Sequence, residues 1–214
     1  SLLFIENRGL LDAEEPNLNP AVDWPRFVRA GMAQLARVVD TELDAPGGST
    51  LATQIEKYRH SPGGITHSPR EKLHQMVSAS VRAYREGPET MPVRRQLVLD
   101  YLNSVPLSAA QVYGEVHGLA DGLWVWYGAD FERVNALLAA PEGEGKLLAE
   151  QGQALRRVLS LMVAHRRPSY YLGSGRDELA RLTDSHLRVL AEAGIISSGL
   201  RDAALERAPD FRDV

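Results

Sequence analysis

The sequence predicts a mostly α-helical fold, and three observations carry that expectation. Apolar residues recur at helical spacing, Gly and Pro cluster between those runs, and hydroxyl or Asx residues stand where helix N-caps belong. Phe27, Met32, Leu35, Val38 and Val39 follow a 3.6-residue period, entered through Asn19-Pro20. Pro46-Gly47-Gly48 interrupts the pattern and Ser49 stands where the next helix opens. Ser61-Pro62-Gly63-Gly64 predicts a loop, after which Ser68 before Pro69 pairs an N-cap with proline at the first helical position. Gly87-Pro88 through Pro92 separate that helix from one carrying Leu97, Val98, Tyr101 and Leu102, and Asp130 caps another. Gly143 to Gly145 precede Leu155, Leu159, Leu161 and Met162; Gly173 to Gly175 precede Leu179, Leu182, Leu187 and Leu190. No sustained alternating strand, internal repeat or heptad array is present, so the expectation is a compact multi-helix domain. The Gly- and Pro-rich stretches near 40–48 and 59–69 exceed ordinary helix connections, which places function near them.

The chain has 214 residues, 44% hydrophobic and 24% charged, the composition of a folded domain. At this length ~70% of the unfolded surface is buried, enough for a core without disulfide or metal, and a single domain over 1–214 is expected. Zero cysteines exclude disulfide scaffolds, thiolate nucleophiles and zinc ribbons. Lys+Arg 24 against Asp+Glu 28 leaves a net charge of −4, which lacks the electrostatic footprint of a nucleic-acid binder. No apolar run reaches the 18 residues of a membrane span, and no signal-peptide pattern is present. The chain opens at Ser1 inside an apolar run, Leu2 to Ile5, which predicts a segment of a longer protein.

Pro46-Gly47-Gly48-Ser49-Thr50-Leu51-Ala52-Thr53-Gln54-Ile55-Glu56-Lys57 is a glycine turn leading into a helix that opens with two hydroxyls. Such a terminus offers N–H and hydroxyl donors to an anion or sugar, yet an ordinary turn plus N-cap accounts for it equally well. It is not a phosphate-binding Walker loop, because the Gly-Lys-Ser/Thr ending is missing.

Together with its neighbours this segment resembles the Gly-Gly-Ser-Thr-x-x-x-Gln-x-x-Lys motif of the family 51 peptidoglycan glycosyltransferases. Ile5-Glu6-Asn7-Arg8 is similar to the family's opening Glu-Asp motif, and Pro20-Ala21-Val22-Asp23 through Arg29-Ala30 to the stretch that follows. Arg70-Glu71-Lys72 stands where Arg-Lys-x-x-Glu belongs. Leu97-Val98-Leu99-Asp100-Tyr101-Leu102-Asn103 is similar to Ile-Leu-Glu-x-Tyr-Leu-Asn, and Gly118 to Gly128 and Arg167 to Ile196 resemble the closing segments. The resemblance covers essentially the whole chain in the family's order.

The resemblance implies a two-lobed, lysozyme-like α domain that polymerises lipid II on the outer, periplasmic face of the bacterial cytoplasmic membrane, anchored through a segment outside this chain. Glu6 would be the general base, a role worth ~10²–10⁴-fold. Lys57 and Arg70 would hold the departing lipid pyrophosphate, with Lys72, Arg59 and Arg8 nearby in the motifs. Ser49, Thr50 and Gln54 would line the saccharide cleft. Mg or Mn assistance at the pyrophosphate is compatible with the resemblance, although the sequence shows no dedicated metal cage. The implied partners are lipid II or another polyprenyl-pyrophosphate-linked sugar, the membrane surface and cell-wall synthesis proteins.

The departures fall on the chemistry. The Asp after the family's Glu is Asn7, and an acid-rich stretch with Asp12, Glu14, Glu15 and Pro16 follows. The second carboxylate, four residues after Arg70, is replaced by His74, which would meet phosphate as a hydrogen-bond donor. Two readings therefore stand: glycosyl transfer, or a catalytically impaired domain that binds glycan, lipid-linked sugar or a cell-wall partner.

Outside that resemblance the same residues have plainer readings. Glu6 alone is a solvated carboxylate. His60, His67 and His74 are broken by Pro62-Gly63-Gly64 and lack an acid to complete a zinc set. Trp124, Trp126 and Tyr127 fit core packing better than a sugar platform. Arg94-Arg95 and Arg166-Arg167 read as helix-surface charges, and Val22, Trp24, Phe27, Val28, Met32 and Leu35 as a face for either core or membrane.

Overall fold

The structure is a computed structural model that describes residues 3, 9–23, 50–60 and 68–214, with only the backbone of 57–60 and 69. Among the described residues there are nine helices and one two-stranded hairpin. The helix predicted over Phe27–Val39, with the rest of that face from Trp24 on, lies outside them. The chain divides into two compact units, 5–101 and 102–214 with 1–4.

The first unit contains α1 (Leu51–His60), α2 (Pro69–Ala83) and most of α3 (Met91–Ser104). Helix α1 runs to His60, so the first two residues of the long Gly- and Pro-rich stretch expected near 59–69 are helical. Ser68 caps α2 as expected, its hydroxyl accepting from the Glu71 amide at 3.1 Å with Pro69 in the first turn. The core between these elements is built from small residues, Ala21, Ala52 and Ala79, against which Val22 and Leu97 pack. Val22 thus belongs to the core rather than to an outward face.

Arg94 corrects the expectation of a surface charge: it is 0% exposed, whereas Arg95 is exposed. The physical reason is register. Arg94 precedes Leu97, Val98 and Tyr101 by three, four and seven residues, which puts it on the buried stripe of α3. Its guanidinium is accommodated by backbone carbonyls of residues 10–16 instead of water.

The second unit begins with the end of α3 and the antiparallel pair β1 (Pro106–Ala110) and β2 (Gly114–His117), with Pro106 opposite His117 and Ala110 opposite Gly114. These strands are too short and too alanine-rich to show alternation in sequence. Tertiary bonds hold them: the Trp126 indole donates to the Leu107 carbonyl at 3.0 Å and the Gly118 amide to that of Val105 at 2.8 Å. Gly118 has φ +78, and a Cβ there would lie 2.5 Å from the Asn103 carbonyl oxygen, so only glycine fits this crossing.

Helices α4 (Gly118–Tyr127), α5 (Phe131–Ala139), α8 (Arg176–Glu192) and α9 (Ser198–Leu205) pack on α6 (Gly145–Ala164), while the single turn α7 (Pro168–Tyr171) packs on β1 and α8. Asp130 caps α5 as predicted, accepting from the Arg133 amide at 2.7 Å. The predicted apolar stripes supply the core: Leu159, Leu161, Met162, Leu179, Leu187 and Leu190 are buried. Trp126 and Tyr127 join them, whereas Trp124 is 53% exposed with the Arg212 guanidinium 5.6 Å from its ring.

Tyr127 sits under the C-terminal tail, stacked on Phe211 at 4.9 Å and hydrogen-bonded with the Ser160 hydroxyl at 2.5 Å. Burial pushes its phenol well above the ordinary 10.0, outweighing the Ser160 bond that lowers it. The neutral form is therefore favoured on folding, and this contribution is fully present below pH ~10. Above that, the unfolded phenol ionises while the folded one does not, and stability falls by about 1.4 kcal/mol per pH unit. Urea midpoints measured from pH 9 to 11 are expected to drop more steeply in the parent than in Tyr127→Phe; equal slopes would contradict this.

Candidate active site

Of the residues singled out by sequence, Gln54 and Lys57 lie on α1 with Thr50 just before it, and Arg70 and His74 lie on α2; the two helices pack against each other in the first unit. The turn into α1 is closed by a reciprocal pair. The Thr50 amide donates to the Thr53 hydroxyl at 2.9 Å, and the Thr53 amide to the Thr50 hydroxyl at 3.3 Å. Two N–H groups that would otherwise be orphaned at the helix start are thereby satisfied, with Thr in the place where Glu or Gln usually completes such a box.

Thr50 is consequently 1% exposed, its hydroxyl held inside the cap. It closes the start of α1 rather than presenting an open donor. Gln54, one turn on, is half-buried. Lys57 lies in α1 three residues further, its side chain outside the described residues, as are Ser49 and Glu6.

On α2, Arg70 stands in the first turn, exposed, and His74 is exposed one helical turn later. Their i, i+4 spacing puts both side chains on one stripe, near a helix N-terminus whose dipole favours anions. Lys72 turns the other way: its ammonium donates to the Thr53 hydroxyl at 3.4 Å, tying α2 to the capped start of α1.

A second tie between the two helices was not signalled by the motifs. The Glu56 carboxylate, 3% exposed, pairs with the Arg82 guanidinium at 2.8 Å. Glu56 precedes Lys57 directly in the motif segment, and this pair locks α1 against α2 from the side away from the cap. Its signal in sequence is faint, because Glu56 follows the apolar face of α1 only by the spacing Ala52, Ile55, Glu56.

Helix α2 also carries an exposed apolar stripe: Leu73, Val77 and Val81 are 59%, 54% and 66% exposed, with Arg70, Arg82 and Arg85 around them. Among the described residues, no three His, Asp or Glu side chains form a group that would hold a metal ion. No helix of the described residues is long and apolar enough to cross a membrane. An open hollow of about 400 Å³ between α5, α6 and the start of α9 lies wholly in the second unit and includes none of the sequence-predicted site residues.

A helical chain in two compact units, with the exposed Arg70 and His74 on a helix packed against the threonine-capped α1, is an architecture suited to handling an anion or a sugar. The transglycosylase family model matches residues 1–186, and the chain belongs to that family. Its members are glycosyltransferase-type enzymes of peptidoglycan that act outside the cytoplasm on lipid II-type glycan substrates. No match to a curated protein was found.

Proposed function

We propose that this chain polymerises lipid II by inverting glycosyl transfer. The observation that carries the reading is the family match over residues 1–186, which includes every residue of the candidate site. In the reaction, Glu6 accepts the proton of the incoming sugar hydroxyl as its oxygen bonds to the anomeric carbon. The bond from that carbon to the lipid pyrophosphate breaks, and the departing charge falls on Arg70 and Lys57. The exposure of Arg70 at the start of α2 supports this role, since the guanidinium and the helix dipole act in the same sense on a phosphate. Gln54 and Ser49 contribute hydrogen bonds to the saccharide, and Thr50 caps the helix that carries Gln54.

The exposed stripe Leu73, Val77, Val81 with its flanking arginines supports contact with a membrane surface, where apolar residues enter the interface and cations meet anionic headgroups. Such contact would place the site at the outer face of the cytoplasmic membrane, where a lipid-linked substrate resides. Among the described residues no carboxylate cage is present, so Mg or Mn assisting at the pyrophosphate would be held mainly by its oxygens and by water.

His74 favours a second reading. With an imidazole where the family's second carboxylate belongs, the domain would bind glycan, lipid-linked sugar or a cell-wall partner with little turnover. Labelled lipid II incubated with the full-length, membrane-reconstituted protein, beside a binding measurement, separates the two. Glycan chains establish the transferase; binding without chains establishes the impaired domain.

The same assay tests His74. If its imidazole donates to phosphate, His74→Ala is expected to raise the KM or Kd for lipid II by roughly 10-fold, the value of one charge-assisted bond. His74→Glu would weaken binding further by placing a negative charge beside the pyrophosphate. Both variants behaving as the parent would remove His74 from the site.

A further inference from the structure

Residues 207–214 form neither helix nor strand, yet a groove of the second unit between α4, α6 and α8 takes three of their side chains in turn. The Asp210 carboxylate lies on the Arg157 guanidinium, whose Nε donates to one oxygen at 3.1 Å and whose Nη2 donates to the other. The Gln153 amide adds a bond to it at 2.9 Å. Phe211 stacks on Tyr127 at 4.9 Å, with the Arg176 guanidinium 4.8 Å from its ring. Arg212 follows along α4: its amide donates to the Trp126 carbonyl at 2.8 Å, its Nη1 to the Trp124 carbonyl at 3.2 Å, and its guanidinium lies 5.6 Å from the Trp124 ring. Gly128 leaves room for it, since a Cβ there would lie 3.2 Å from the Arg212 Cδ. Where the segment meets the groove a cavity of about 10 Å³ is left.

These are the contacts of a recognition surface more than of a core. Tyr, Trp and Arg are the side chains that carry most binding energy where proteins meet, and the groove presents Tyr127, Trp124, Arg157 and Arg176. Each residue of the segment meets its own chemistry: a two-pronged fork for a carboxylate, a stacked ring with a cation for an aromatic, an indole face and carbonyls for a guanidinium. The occupant itself stays near the surface, with Asp210 and Arg212 exposed and Phe211 half-buried. A segment held mainly through exposed side chains opens at a small fraction of the cost of unfolding the domain. The family match ends at residue 186, so the groove residues lie inside the matched span and the segment that fills the groove lies outside it.

We infer that this groove is a docking site for an extended segment of a partner protein that carries an acid, an aromatic residue and a base in succession, and that residues 210–212 occupy it in cis as a competitor. Charge complementarity selects that chemistry: Arg157 with Gln153 calls for a carboxylate, Tyr127 with Arg176 for a ring, and the Trp124 ring and carbonyl for a guanidinium. The cis segment sets the affinity that a partner must exceed. Joined to α9 by a short link, it acts at an effective concentration on the order of millimolar. The inference is independent of the glycosyl-transfer reading, because the groove contains none of the residues assigned to that chemistry.

The probe is a fluorescein-labelled peptide of residues 208–214, titrated into the full-length protein and into its Asp210→Ala, Phe211→Ala double variant. With its own segment released, the variant is expected to bind the peptide at least about 10-fold more tightly than the parent. Replacing the peptide's Asp or Phe by Ala, or adding Arg157→Ala to the variant, is expected to weaken that binding by about 10-fold. A folded variant that binds no better than the parent, or binding indifferent to those replacements, overturns the docking site. Should the double variant not fold, the parent is titrated with the peptide to millimolar concentration and read by amide hydrogen exchange. Faster exchange at residues 206–214 shows the segment displaced, and unchanged exchange overturns the proposal. Sedimentation of the parent distinguishes the occupants. A monomer supports a segment from another protein; a dimer that is lost in the double variant means that copies of this chain exchange their own segments, which overturns the assignment to a separate partner.

Discussion

Glu6→Gln is expected to lower lipid II polymerisation by ~10²–10⁴-fold while leaving lipid II binding close to that of the parent. The substitution keeps the size and hydrogen-bonding reach of the side chain and removes only its capacity to take a proton. In the proposed function, binding depends on contacts to pyrophosphate and saccharide from Arg70, Lys57 and Gln54, and those are untouched. The expected signature is therefore a fall in kcat with KM retained, the mark of an interaction made in the transition state. An equal loss of binding would place Glu6 among the substrate contacts rather than the catalytic groups, and an unchanged rate would remove the acid–base assignment altogether.

The largest structural effect is expected at Gly152→Val. Helix α9 and the tail lie beyond residue 186, where the family match ends, yet they are built into the second unit. A Cβ at Gly152 would lie 2.6 Å from the backbone carbon of Ala203 and 2.7 Å from the nitrogen of Ala204. Neither atom can move without shifting α9. The Arg156 guanidinium donates to the Ala204 carbonyl at 2.9 Å and pairs with Asp184 at 2.6 Å, so displacement of α9 disturbs that buried group as well. Tail contacts follow: Asp210 on Arg157 and Gln153, Phe211 under Arg176 at 4.8 Å. Overpacking of this kind costs about 1–3 kcal/mol. At this chain size each kcal/mol lowers the Tm by roughly 2–4 °C. Gly9→Ala, with nothing within 4 Å of its Cβ, is the control and should leave the Tm unchanged. A Tm for Gly152→Val equal to that of the control would mean that α9 is not held as closely as the geometry requires.

Periodicity and caps carried far along this chain. The stripes through Leu155 to Met162 and Leu179 to Leu190 became the buried faces of α6 and α8, and Ser68 and Asp130 cap the helices they announce. These features are local: a 3.6-residue repeat and a hydroxyl before a helix act through neighbours a few positions away. The family was legible for a related reason, since its motifs are short and ordered along the chain. Arg70 and His74 fall on one stripe of α2 because four residues make about one turn, which spacing alone predicts.

What the sequence by itself determined is thus the helical class, the helix starts at Ser68 and Asp130, and the family. Only the tertiary structure decided which groups are turned inward. Thr50 is spent on its own helix cap, Glu56 is buried on Arg82, Arg94 leaves the surface for four carbonyls, and Gly152 admits α9. The physical reason is distance along the chain. Arg94 reaches carbonyls 78 to 84 residues away, and Gly152 meets a helix some fifty residues later. Composition and spacing specify what a residue can do, but its partner is chosen by packing between segments far apart in sequence.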